Sequence, residues 1–358
     1  MEEVLNKLRN TEHTRELIGM ESRVEKLKSY LTIESNDVRI IGIWGTGGMG
    51  KTALARVVYR MVSNKFEACC FIANVREEYE KYGLRKLQKR LLKKLLMLKN
   101  LILHDVDDGV QMMKNRLHNK KILLVLDDIT KLDQLEMLAG KNCLFGSGSR
   151  VIITTRDKHL LVSHEVNEIY EAEILNHEEA LQLFSLKAFK MDHPIEDYGK
   201  LSQAFVDYCK GLPLALEVLG SFLFKKSIDE WENEYDRLMI EFCDKGEILN
   251  VLQISFDRLQ ENEKEIFLNI ACFFNHMNQD DVQKILDCLG LYPIIGLRVL
   301  IDKSLIKLHE NQLLMHDLLQ DMGRHIVVCK DQVPEERSRL WSFDDIDNVL
   351  TENTVRRY

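Results

Sequence analysis

The sequence predicts an α/β protein, a parallel sheet covered by helices on both faces, followed by a small helical region and a second helical region that ends in a hairpin. Three observations predict it. Over residues 38–172, short apolar runs alternate with segments of helical spacing, the pattern of βαβ units. After residue 172 the apolar runs stop and helical spacing continues alone. Near residue 305, two short apolar stretches flank the polar turn His309-Glu310-Asn311-Gln312.

The candidate strands are 38–44, 70–75, 122–126, 151–155 and a short 169–172. Each is apolar enough to lie inside a sheet buried on both faces. The segment 84–99 places Arg and Lys between leucines. It reads as a sheet-covering helix with a solvated Lys face, or as a basic amphipathic surface for a membrane or a partner. Residues 173–240 are helical throughout, with apolar residues at Ala180, Leu183 and Phe184, then at Leu201, Phe205 and Tyr208. Residues 241–330 are mostly helical and end in strands at 305–308 and 313–316, which suggests a winged helix.

The chain is too long, at 358 residues, for one ordinary core and long enough for two or three domains. Hydrophobic content of 45% and charged content of 30% describe a folded, soluble protein. The net charge of −8 gives no footprint for nucleic acid across the whole surface. None of the 8 cysteines forms a Cys-x-x-Cys pair, and several lie in apolar runs such as Ile270-Ala271-Cys272-Phe273-Phe274. They read as reduced, buried thiols of a cytosolic protein. The first ten residues are charged and lack the apolar core of a signal peptide. No run of about 18 apolar residues is present to span a membrane.

Between the first strand and the helix opened by Ala53 lies Gly45-Thr46-Gly47-Gly48-Met49-Gly50-Lys51-Thr52. It fits the phosphate-binding pattern G-x-x-x-x-G-K-[ST]. Gly45, Gly47, Gly48 and Gly50 let backbone N–H groups turn inward around phosphate oxygens, at a helix N-terminus that favours anions. Lys51 is placed to reach the β- and γ-phosphates, and the Thr52 hydroxyl to ligate Mg²⁺. The apolar run 122–126 then delivers Asp127 and Asp128 to the sheet edge where ligands of open α/β sheets bind. Asp127 suits the Mg²⁺ shell. Asp128 either orients or deprotonates an attacking water, or caps the helix that follows. Arg156 ends the next strand, where a guanidinium can sense a γ-phosphate or simply begin a surface loop.

These motifs are followed by Gly211-Leu212-Pro213-Leu214-Ala215, then by Phe267-Leu268-Asn269-Ile270-Ala271-Cys272-Phe273-Phe274, and finally by Met315-His316-Asp317. In this order they resemble the nucleotide-binding module of plant disease-resistance receptors, NB-ARC, shared with apoptosome adaptors and belonging to the STAND class of P-loop NTPases. The resemblance runs from about Leu17 to about Asn353. Phe71-Ile72-Ala73-Asn74-Val75-Arg76-Glu77, and Phe267–Phe274 read with Asp127-Asp128, are similar to the receptors that carry a TIR domain. The resemblance implies an N-terminal linker over 1–16, a P-loop NTPase domain over 17–172 and a helical domain over 173–240. A winged-helix domain over 241–345 and a tail over 346–358 would follow. The family's TIR and leucine-rich-repeat domains are absent from this sequence, which reads as an excised module or a truncated product.

The resemblance also implies roles. Backbone around Leu17 and Ile18 would face the adenine. Pro213, with Leu214, would pack against the base. His316 would contact the β-phosphate of ADP and clamp a closed state, supported by Asp317. The implied function is an ADP/ATP-operated switch in defence signalling, with Mg²⁺ as cofactor. Slow resetting hydrolysis, self-association on activation and a cytoplasmic location, with the nucleus as a second compartment, go with it. Two alternatives stand beside it, a turnover ATPase and a DNA-binding regulator that uses the winged helix. Residues 241–330 carry 9 Lys/Arg against 14 Asp/Glu, the wrong sign for phosphate contacts.

Overall fold

The computed structural model describes residues 18–140, 144–241, 248–330 and 336–351. Leu17, the linker 1–16, Cys143, Cys243 and residues 352–358 of the tail therefore lie outside the described residues. The chain divides into two units, the first ending at Glu173 and the second beginning at Ile174.

The first unit opens with α1 (Met20–Leu31), β1 (Arg39–Trp44), α2 (Lys51–Val62), β2 (Ala68–Ile72) and α3 (Val75–Leu96). It continues with α4 (Val106–Leu117), β3 (Ile122–Ile129), α5 (Leu132–Leu138), β4 (Arg150–Thr155), α6 (Lys158–Ser163) and β5 (Glu168–Glu171). All five strands are parallel, in the order β2-β3-β4-β1-β5. Every residue of β3 and β4 is buried. Period-two alternation splits these strands between two cores. Leu124, Leu126, Val151 and Ile153 pack on the face covered by leucines of α3, whereas Leu123, Val125 and Ile152 pack on the face covered by α1 and α2. Gly42 in β1 lets α6 pack closely, because a Cβ there would fall 2.4 Å from the Leu161 side chain and displace it.

The strand limits shift by one to three residues from the sequence reading, and three differences have a structural cause. The second strand ends at Ile72, and Asn74 adopts a left-handed backbone (φ 47°) that lets α3 start at Val75. Asn tolerates that conformation better than most residues. The Leu/Lys segment is the second part of α3, which breaks at Gly83. Its Leu87, Leu91, Leu92 and Leu95 are buried in the sheet's core, which favours the sheet-covering reading. The third strand runs on to Ile129 through an irregularity between Leu126 and Ile129.

The second unit begins with α7 (His177–Ala188), α8 (Gly199–Cys209), α9 (Pro213–Leu223) and α10 (Ile228–Glu241). Trp231 is buried among Phe184, Phe189, Tyr198 and Phe205, and its indole N–H donates to Leu223 O at 3.1 Å. Next come α11 (Ile248–Asp257), α12 (Glu261–Asn269), which continues as a π turn over Ile270–Phe274, α13 (Gln279–Cys288) and α14 (Pro293–Asp302). The antiparallel hairpin β6 (Lys307–His309) and β7 (Gln312–Leu314), then α15 (Asp317–Lys330) and α16 (Phe343–Thr351), complete it. The hairpin is shorter than expected at its open end, and its strands take in His309 and Gln312 from the expected turn. Leu305 and Ile306 are buried in the helical core ahead of it, and Glu310 and Asn311, both left-handed (φ 49° and 61°), make a tight two-residue turn. Burial pushes the Cys70 and Cys272 thiols up to about 11 and raises that of Cys209, as inert core cysteines require. Among the described residues, no helix is long and apolar enough to cross a membrane.

Candidate nucleotide site

The site grows from the C-terminal ends of β1, β3 and β4. Between β1 and α2 the loop turns through two left-handed glycines, Gly48 (φ 81°) and Gly50 (φ 80°), and Gly50 is the N-cap of α2. Glycine takes those conformations at the least steric cost. Gly45 and Gly47 lie in the same loop, and Lys51, Thr52 and Ala53 form the first turn of α2. Lys51 is only 9% exposed, and its Nζ donates to Gly45 O and Thr46 O, both at 2.8 Å. The ammonium is thereby held against the loop by two of its carbonyls.

Asp127, fully buried, accepts hydrogen bonds at Oδ1 from the Thr52 hydroxyl at 2.8 Å and the Thr154 hydroxyl at 2.7 Å. Thr154, on β4, also accepts from the Asp128 N–H at 2.9 Å. A chain of hydrogen bonds thus joins α2, β3 and β4. Its carboxylate and hydroxyl oxygens are hard donors, and they fit Mg²⁺ in kind.

Asp128 lies inside the irregular end of β3, with φ at +57°. The N-cap of α5 is Lys131, so Asp128 is not a helix cap. Its carboxylate meets Arg76 Nε at 3.0 Å and Arg156 Nε at 3.9 Å. Arg156 also offers its backbone carbonyl to the Trp44 indole N–H at 3.1 Å.

Beside the loop is a narrow pocket lined by Met20, Arg23, Met49, Gly50, Lys51, Leu54, Tyr170, Ala172 and Glu173. Its walls are largely apolar, and burial raises the Tyr170 phenol above its ordinary value. Ile18 is half-buried in the turn that leads into α1. At the other end of α1, Arg150 holds the segment that leads on to β1. This fully buried guanidinium donates to the carbonyl oxygens of Leu31, Thr32, Ser35 and Asp37, at 2.5, 2.6, 2.9 and 2.5 Å.

Residues 20–194 match the NB-ARC domain family, and residues 260–331 match the winged-helix domain described as disease resistance protein Roq1-like. This chain carries an NB-ARC domain and a Roq1-like winged-helix domain. It is 44% identical over 339 residues to disease resistance protein RUN1 of Vitis rotundifolia, covering 94% of this chain and 25% of that protein. It is 43% identical over 346 residues to TMV resistance protein N of Nicotiana glutinosa, covering 94% of this chain and 30% of that protein. The chain therefore spans only a quarter to a third of the length of these relatives. Among solved structures, it resembles the signal transduction ATPase with numerous domains (STAND) protein with a tetratricopeptide repeat sensor from Pyrococcus horikoshii. The TM-score is 0.51 at 20% identity, with 91% of this chain and 45% of that chain covered, a likeness of fold.

The remaining expected residues lie in the second unit. Pro213 is the half-buried first residue of α9, where its missing N–H costs nothing. Leu214 packs into the apolar core with Leu252, Phe267 and Met315. Gly211, ahead of them, is left-handed (φ 70°), and a Cβ there would fall 2.3 Å from Leu175 O. In the winged-helix domain, His316 Nδ1 accepts from the Leu318 N–H at 3.1 Å, capping α15 and leaving the proton of a neutral ring on Nε2. Asp317 opens α15, where a carboxylate complements the helix dipole.

Sequence reasoning passed over Thr154, Arg76, Arg150 and Glu217. Thr154 lies within the expected strand 151–155 and Arg76 within the motif from Phe71 to Glu77, but of the residues at these strand ends only Arg156 is given a role. Glu217, almost buried on α9, meets Lys307 at 3.1 Å and Lys187 at 3.9 Å. Burial drives its carboxyl upward, but Lys307, Lys187 and His316 outweigh this and hold it below the ordinary 4.5.

Proposed function

We propose that this chain is the nucleotide-operated switch of a plant intracellular immune receptor, stable with ADP and activated by exchange for ATP. The observation that carries the reading is the phosphate loop, with Lys51 held on its carbonyls and Thr52 and Thr154 joined through Asp127. Similarity to plant disease resistance proteins supports the defence-signalling role. Thr52 and Asp127 would hold Mg²⁺, which when bound shields phosphate charge. Gly45, Gly47, Gly48, Gly50 and Ala53 would supply backbone donors, and Ile18 would lie at the adenine. By the family resemblance, Pro213 and Leu214 would serve the base and His316 the β-phosphate, through Nε2–H, with Asp317 behind it.

A ligand moves a conformational equilibrium only if it binds the two states unequally. A histidine that favours the diphosphate state supplies such a difference. Self-association would follow activation, and the expected location is cytoplasmic and nuclear. Hydrolysis, if Asp128 assists a water, would be slow and would reset the switch. The domain limits proposed are 17–172, 173–240 and 241–345. The test is nucleotide binding by the intact chain and by Lys51→Ala. Fluorescent ADP should bind the first tightly and the second not at all, and equal binding by both would sink the proposal.

A further inference from the structure

Beyond this switch reading, on which it rests, we infer that Asp128 is an internal counter-ion. It sets how strongly two strand-end arginines, Arg76 and Arg156, favour a nucleoside triphosphate over a diphosphate.

The sheet order places β3 between β2 and β4. Arg76 follows β2 as the second residue of α3, and Arg156 follows β4, so the two guanidiniums flank the end of β3 from opposite sides. Asp128 faces both, with Oδ2 at 3.0 Å from Arg76 Nε and Oδ1 at 3.9 Å from Arg156 Nε. Its side chain is 10% exposed, against 23% and 29% for the arginines, so the carboxylate is the inner partner. Its backbone is fixed by a left-handed φ of 57° and by its N–H bond to Thr154, which also binds Asp127. Asp127 serves the phosphate-loop side of this cluster, and Asp128 the arginine side.

A phosphate oxygen uses the same N–H donors of a guanidinium that a carboxylate does. A phosphate group added beyond the loop must therefore compete with Asp128, while a diphosphate held within the loop need not. Asp128 is then a positioning residue that tempers triphosphate affinity, and Arg76 is a discriminating residue alongside Arg156.

The test uses the full chain with Mg²⁺ and measures dissociation constants for ADP and for a non-hydrolysable β,γ-imido ATP analogue. Asp128→Asn removes the competing charge and should shift the ADP/analogue ratio toward the triphosphate by about 10-fold, the effect of one charge-assisted contact. Arg76→Gln should shift it the other way, and the double variant should fall between. Should Asp128→Asn not fold, Arg76→Gln and Arg156→Gln test the same competition from its other side. Ratios unchanged in every variant, with binding intact, would overturn the counter-ion role alone, even if Asp128→Asn slows turnover. A wild-type chain that binds neither nucleotide would overturn the switch reading and this inference with it.

Discussion

Arg150→Met should cost the first unit about 3–5 kcal/mol, because several buried carbonyls lose a charged donor. The figure follows from the acceptors involved. The guanidinium serves five carbonyl oxygens, those of Leu31, Thr32, Ser35, Asp37 and Ser149, and is fully buried. A hydrogen bond to a charged group is worth about 1.5–3 kcal/mol, so a full sum would exceed the estimate. Carbonyls in the 32–37 loop can turn to water once the arginine is gone, which recovers part of the loss. Methionine fills much of the volume, so the cavity contribution stays small. Arg150→Lys keeps the charge but loses the planar fork, and should recover less than half of the difference. Urea unfolding followed by circular dichroism gives the free energy. Hydrogen exchange over 39–44 and 150–155 assigns the loss to the first unit. A loss under about 1 kcal/mol, with unchanged protection of those strands, would refute the reasoning, because it falls below the value of even one such bond.

Gly211→Ala should destabilise the second unit by about 2–4 kcal/mol, from left-handed backbone strain and the Leu175 carbonyl clash; a calorimetric midpoint that does not fall would contradict this. Glu217→Gln should weaken unfolding stability at neutral pH. Because the folded carboxyl lies below its ordinary 4.5, the stability it contributes is present above 4.5 and is lost as pH falls through the lower folded value. The gap between the two proteins in urea should therefore close on acidification below 4.5, and a gap constant from neutral pH down would count against the pairing with Lys307 and Lys187. His316→Ala should retain less ADP after purification than the wild type, read by chromatography of released nucleotide. Retention as full as wild type would remove the histidine from the switch.

Much of this was legible in the sequence, and the parts that were not share a cause. The inner strands are continuous apolar runs, so their existence and parallel pairing followed from composition and alternation. Their ends did not, because Asp127 and Asp128 continue a strand that polarity suggested was finished, and Asn74 starts a helix by taking a left-handed backbone. The hairpin was found but displaced, since Leu305 and Ile306 serve the helical core instead. Lys51, Thr52 and Asp127 could be read from local spacing. The threonine bridge and the Arg76–Asp128–Arg156 cluster depend on the register of β2, β3 and β4, which brings together residues far apart in the chain. Arg150 left no signal, because a polar residue at the start of an apolar strand looks like an exposed strand end.

The most direct test of the central claim is to denature the purified chain and identify the nucleotide it releases. The account predicts ADP in near-equimolar amount from the wild type and none from Lys51→Ala. A wild-type chain that releases no nucleotide and fails to take up added ADP or ATP would contradict it.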